Sequence, residues 1–207
     1  MRLTTNLHNK RIQSDAAEPL FAAVCVYGES TMTLEEYRLD FESASNRSVS
    51  MPLAGAFVWL CIGLISLQVS ERTGILLLLF SSGVIFPLAL VISKFRGEVL
   101  ISSKNPLAQL MGYCVLMVNL LWAVHIPLFI YAPEFVPLSL GIGLGLHWVV
   151  YSWIVKHNVG TIHAVLRTVL VLVAWFIFRE QRLFSIAMVV VLVYTVSIFQ
   201  MLNRPIN

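Results

Sequence analysis

GILLLLFSSGVIFPLALVIS, residues 74–93, is an unbroken stretch of twenty residues without Asp, Glu, Lys or Arg. At about 1.5 Å per residue it makes a helix of roughly 30 Å, the thickness of a bilayer's hydrocarbon core, with its backbone amides satisfied internally. It is apolar on every face, whereas a surface helix of a soluble bundle keeps a polar one. Working outward, residues 52–69, 107–131, 136–155, 160–178 and 183–202 repeat the pattern, and among all six stretches only 160–178 holds a charged side chain, Arg167. The composition, 58% hydrophobic and 12% charged over 207 residues, excludes an ordinary soluble domain. The expected fold class is all-α: one polytopic membrane domain of six transmembrane helices over 52–202, with a tail at 203–207.

The basic residues of the connections set the orientation. Arg2, Lys10, Arg11, Arg38, Arg47, Lys94, Arg96, Lys104, Lys156 and Arg204 fall on one side, and Arg72, Arg179 and Arg182 on the other. Ten against three places both termini in the cytoplasm of a cell's inner, or plasma, membrane. The net charge of +3 then reflects this bias, and no nucleic-acid partner is expected. Cys25, Cys61 and Cys114 are odd in number and far apart, so they read as small apolar residues without a disulfide framework.

Residues 1–31 show mixed polarity and no periodicity, and read as a disordered extension or the product of an upstream start, with Met32 opening the better-formed unit. Thr33 and Glu36 have capping-box spacing, and Leu34, Tyr37, Phe41 and Ala44 recur at helical intervals. This predicts an amphipathic helix at the cytoplasmic interface within 32–51, its polar face carrying Glu35, Glu36, Asp40 and Glu42 against Arg38 and Arg47.

Polar groups at membrane depth cost about 2.5 kcal/mol or more for a charge, which makes each a functional candidate. They are Asn119, His125, His147, His163 and Arg167, with Tyr113, Tyr151 and Ser152 able to hydrogen-bond beside them. Counting helical rise, His147 lies about 12 Å and Arg167 about 10 Å from the cytoplasmic boundary, on consecutive antiparallel spans. His147 and Tyr151, and His163 and Arg167, are spaced i, i+4. No span contains a carboxylate that could neutralise Arg167. Two readings stay open: a cytoplasmic-side cavity between the fourth and fifth spans in which His147, Tyr151, His163 and Arg167 receive a small anionic ligand or lipid headgroup, or an Arg167 that snorkels to the inner headgroups. His125 lies at a different depth from the other two intramembrane histidines and no H-E-x-x-H spacing occurs, so no metal and no cofactor is expected.

Gly141 and Gly145 stand in G-x-x-x-G register, which suits close packing within the chain or a homodimer through that face. Pro87 and Pro127 are expected to kink the second and third spans.

Several motifs together resemble a family of uncharacterised bacterial six-span membrane proteins known only as a domain of unknown function. They are TLEEYRLDF at 33–41, Phe86-Pro87 with Ser93-Lys94, Asn105-Pro106-Leu107, Pro133-Glu134 with Pro137, and Gly145-Leu146-His147-Trp148 with Tyr151 and Trp153. The resemblance covers about 32–202, implies no activity, and draws attention to residues 145–153. Val150 stands where such proteins carry a proline, which removes one cause for a kink there. The functional expectation is a protein that binds or moves a small ligand. A non-catalytic scaffold or assembly subunit is the alternative, and an intramembrane enzyme comes last, since no nucleophile, base and orienting acid can be assembled.

Overall fold

The computed structural model describes residues 32–100, 102 and 104–204, so the reading of residues 1–31 lies outside the described part. Residues 34–204 form α1 (Leu34–Ser45), α2 (Ser50–Ser66), α3 (Glu71–Arg96), α4 (Pro106–Leu120), α5 (Trp122–Tyr131), α6 (Val136–Leu146), α7 (Trp148–Ile154), α8 (Val159–Ile177) and α9 (Arg182–Asn203). The described residues contain no strand. Six helical stretches are long and apolar enough to cross a membrane: Leu34–Ser66, whose apolar part is α2, then α3, α4 with α5, α6 with α7, α8 and α9.

Local chemistry sets the boundaries. Ser70 caps α3, its hydroxyl accepting from the Thr73 amide, and Gly97 ends that helix in the left-handed region at φ 66°. Asn105 caps α4 by accepting from the Leu107 amide at 2.8 Å, with Pro106 in the first turn, where its missing amide costs nothing. The third and fourth spans are separated by Ala132, which is non-helical, and one 3-10 turn at Pro133–Phe135. At the opposite end of the bundle, the turn into α8 is closed by Ser152, whose hydroxyl accepts from the Thr161 amide at 2.7 Å. Gly160 is required there, because a Cβ at that position would sit 1.9 Å from the Trp148 carbonyl oxygen.

Pro87 and Pro127 lie inside α3 and α5, and neither marks a helix boundary. The breaks between helical segments within the third and fourth spans fall at Leu121 and His147. At Leu121 the amide bonds back three residues to Val118, and the His147 carbonyl accepts from both Val150 and Tyr151. The fourth span is thus broken at His147 although Val150 is not proline.

The tight core joins α2, α3, α6, α8 and α9 around Trp59, Ile75, Leu140, Val171, Ile186 and Val190. Glycines let it close: Tyr194 lies over Gly55, and Gly141 faces Val171 and Ile186. Gly141 and Gly145 are therefore occupied within the chain, the first by Val171 and Ile186 and the second by Arg167. The third span differs from the rest. Only 17% of its apolar window is buried, against 50% for the first and fourth spans, because α4 meets α1, α5 and α7 over short stretches.

Candidate functional site

Arg167 is fully buried in the interior of the bundle. Gly145 leaves room for its aliphatic stem, since a Cβ there would sit only 2.8 Å from Arg167 Cδ, so the two residues stand at one depth. From there the guanidinium reaches a turn further along α6, and Nε donates to the Gly141 carbonyl. That direction leads away from the α7–α8 turn, so the side chain does not snorkel to the nearer boundary. The guanidinium carbon lies 5.1 Å from the Tyr194 ring centre and 5.6 Å from that of Trp59, within reach of cation–π attraction. Nη1 and Nη2 have no hydrogen-bond partner among the described residues.

His163, one turn away, is equally buried. Ser197 gives its hydroxyl proton to the Val193 carbonyl, so the 2.8 Å contact assigns the proton of His163 Nδ1 to the bond with Ser197. The imidazole stacks on Trp148 at 4.0 Å with 10° between planes, and lies 5.0 Å from the Tyr194 ring. His163 and Arg167 thus belong to an aromatic-lined interior made by α2, α6, α7, α8 and α9.

Tyr151 lies elsewhere, in a polar layer at the end of the bundle where α3, α7 and α9 finish and α4 begins. Its hydroxyl donates to the Arg47 carbonyl and accepts from Arg204 Nη2, both at 3.4 Å. Arg204 also forms a buried ion pair with Glu42. Glu42 was expected on the polar face of the amphipathic helix; it is instead turned inward, only 5% exposed, because a cation from the far end of the chain meets it there. Glu98 accepts from the Ser50 amide at 2.9 Å and from Arg96 at 2.6 Å. Asn105 donates to the Tyr37 carbonyl and to Asp40, both at 2.8 Å, and Glu35 pairs with Arg38 and Lys156. Arg38 lies over Trp153. These bonds fasten α1 across the end of the bundle. The Glu35 carboxyl is held below its usual range, foremost by the hydrogen bond from Lys156 and further by Arg38.

Between α1 and α2, Asn46, Arg47 and Ser48 all have positive φ, at 41°, 69° and 54°. Left-handed backbone is costly for such residues. The turn is held by Asn46 donating to the Arg96 carbonyl and Arg47 donating to that of Leu202, in addition to the Tyr151 bond.

His147 occupies the third environment. A cavity of about 620 Å³ runs between α4 and the ends of α1, α2, α3, α7 and α9. Phe41, Ser45 and Ser48 line it at the end crossed by α1, and Ser102 and Gln109 add hydrogen-bonding groups there. Further in, Met111, Gly112 and Val115 of α4 face Met51, Phe86 and Trp148. His147 and Asn119 mark its inner end, where a second cavity of about 80 Å³ continues past Gly83 and Leu144 toward Tyr194. Of the four residues expected to form one site, His147 and Tyr151 line this crevice, whereas His163 and Arg167 do not. The crevice lies beside the third span, one helix away from the boundary between the fourth and fifth. No Asp, Glu, Lys or Arg lines it among the described residues.

His125 is buried on α5 beside the Ser139 backbone, remote from that crevice in the sequence of α4–α5 and not among its lining residues. Among the described residues no group of three or more His, Cys, Asp and Glu side chains could hold a metal ion.

Six apolar helices, an apolar exterior and a polar layer at one end define a multi-span all-α membrane protein. The chain belongs to the family of unknown function DUF7010, whose model matches residues 34–204. No curated protein and no solved structure matches it.

Proposed function

We propose that this protein binds, and shelters or moves, a small membrane-soluble molecule in the crevice between α4 and the rest of the bundle. The supporting observation is the cavity itself. At about 620 Å³ it falls within the range of small-molecule sites, and it combines apolar walls with a few neutral polar groups, as such sites do. Close packing is the rule for protein interiors, and a space of this size beside α4 departs from it. The ten-to-three distribution of basic residues favours a plasma-membrane protein with α1 and both termini on the cytoplasmic side. The crevice would then open near the cytoplasmic leaflet.

This differs from an anion site built on Arg167, whose stem is packed against Gly145 and whose headgroup is enclosed by Trp59 and Tyr194. Native mass spectrometry on protein released from its own membranes tests the reading. A retained adduct should be lost from Gly112→Phe, which fills the crevice, and kept in Leu120→Phe, whose side chain is 67% exposed and lies outside it. A bare wild-type monomer, or an adduct indifferent to Gly112→Phe, would remove the reading.

A further inference from the structure

We infer that the occupant of the crevice is an uncharged amphiphile with one apolar chain, of the class of a long-chain or isoprenoid alcohol, entering sideways from the bilayer. This rests on the crevice being a binding site, and three features of it narrow the ligand.

Charge comes first. The lining has hydrogen-bonding groups but no charged side chain among the described residues. The cations of the adjoining polar layer are engaged with groups of the protein: Arg204 with Glu42, Arg96 with Glu98, Arg47 with the Leu202 carbonyl. A carboxylate or phosphate drawn into the crevice would lose water without gaining a counter-charge, which is far costlier than burying a hydroxyl that finds an acceptor. Ser45, Ser48, Ser102 and Gln109 suit a hydroxyl or carbonyl head at the α1 end.

Size comes second. At the roughly 30 Å³ that a water-sized group takes in a liquid, the cavity holds about 20 non-hydrogen atoms. A two-chain phospholipid has more than twice that number. The lining along α4 runs from Ala108 to Asn119, about 17 Å of helix, which is an elongated shape suited to a single chain. The smaller cavity shares His147, Asn119 and Trp148 and carries the path on toward Gly83, where the walls become Val118 and Leu144.

Access comes third. α1 crosses the polar end and contributes Phe41 to the lining, and the Val99 amide bonds to the Ala44 carbonyl there. The weakly buried flank is α4, which faces outward with Tyr113, Met117 and Leu120. A ligand already dissolved in the bilayer reaches the crevice along that flank.

The test is photolabelling of the full-length protein in nanodiscs with a diazirine analogue of farnesol, followed by peptide mapping. Saturable labelling is expected within 108–119 and at 147–148. Farnesol should compete at least about tenfold better than farnesoate, which has the same chain and a carboxylate head, assayed at pH 8. Gly112→Phe should lower saturable labelling about tenfold or more, while Leu120→Phe leaves it in place. A Cβ at Gly112 or at Gly83 meets nothing within 4 Å, so both positions accept larger side chains, and Gly83→Leu serves as a second variant that should shorten the path. Equal or better competition by farnesoate would overturn the uncharged ligand and leave the binding site standing. Labelling that does not saturate, or that ignores Gly112→Phe, would overturn both.

Discussion

The buried ion pair between Glu42 and Arg204 ties the first described helix to the last, and its removal should free α1. Both residues are almost wholly buried, at 5% and 4% exposure, and Arg204 additionally donates to the Tyr151 hydroxyl. In Arg204→Leu the Glu42 carboxylate stays in place without its cation. Deleting one partner of a buried pair costs about 3–5 kcal/mol, most of it the burden of the stranded charge. The cost falls on the docking of α1, whose remaining ties are Asn105 to Tyr37 and Asp40, Lys156 to Glu35, Arg38 to Trp153 and the Val99 amide to the Ala44 carbonyl, several of them at exposed positions. Amide hydrogen exchange of α1 in nanodiscs reads that local opening. At 1.4 kcal/mol per factor of ten, protection should fall by roughly 10²-fold to several thousandfold, or until α1 is fully undocked. The double variant Glu42→Leu/Arg204→Leu removes the stranded charge as well and should recover most of the protection, since a buried pair contributes little over apolar residues of similar size. A loss of less than about fivefold in Arg204→Leu, or effects of the two changes that simply add, would refute this reasoning.

Three further outcomes are expected. Gly160→Ala places a Cβ 1.9 Å from the Trp148 carbonyl oxygen, a clash with backbone that cannot rotate away; it should lower stability by about 3 kcal/mol or more in thermal unfolding in detergent, and an unchanged midpoint would contradict the α7–α8 turn. Arg167→Met gives up one charge-assisted hydrogen bond and contacts with two aromatic faces, about 3–5 kcal/mol together, and removes a desolvation penalty of several kcal/mol, so stability should stay within about 2 kcal/mol of wild type. A much larger loss would mean that Nη1 and Nη2 are satisfied by a bound anion or water. Glu35 has its carboxyl pKa lowered in the folded state, so its contribution to docking α1 is present above the unfolded value near 4.3 and fades as pH falls through the folded one. Exchange protection of α1 should therefore decline on acidification below about pH 5, and Lys156→Gln should flatten that dependence; a steeper decline in the variant would contradict it.

How much of this was legible in the sequence follows from what each signal encodes. The six spans were, because a run of about twenty uncharged residues has few other stable forms, and residues 132–135 do separate the third from the fourth. The common depth of His147 and Arg167 also followed from helical rise alone, and the packing of Arg167 on Gly145 agrees with it. Which face of a span points inward did not. Lipid and bundle interior are both apolar, so hydrophobic periodicity carries almost no information about helix faces, and the looseness of α4 left no trace in composition. Gly112 and Gly83, which look like other glycines in a membrane helix, border the crevice, whereas Gly141 and Gly145 are filled. Glu42 read as one of the charged residues of a polar helix face, and nothing local could show that Arg204, 162 positions later, returns to meet it. The i, i+4 spacing of His147 and Tyr151 suggested one site. Both do border the crevice, but the Tyr151 hydroxyl is taken up in the polar layer by Arg47 and Arg204, and His163 and Arg167 lie apart from it. The Gly145–Trp153 segment did hold much of the relevant structure: a helix break at His147, the Trp148 ring that both lines the crevice and supports His163, and the Trp153 ring under Arg38.

The most direct measurement of the central claim is a cryo-EM map of the protein taken from its native membranes into nanodiscs, at a resolution that shows side chains. Elongated density between Gly112 and Trp148, with α4 standing off from α2 and α3, is the expected result. A map in which α4 closes onto Met51 and Phe86, leaving no space beside His147, would contradict it.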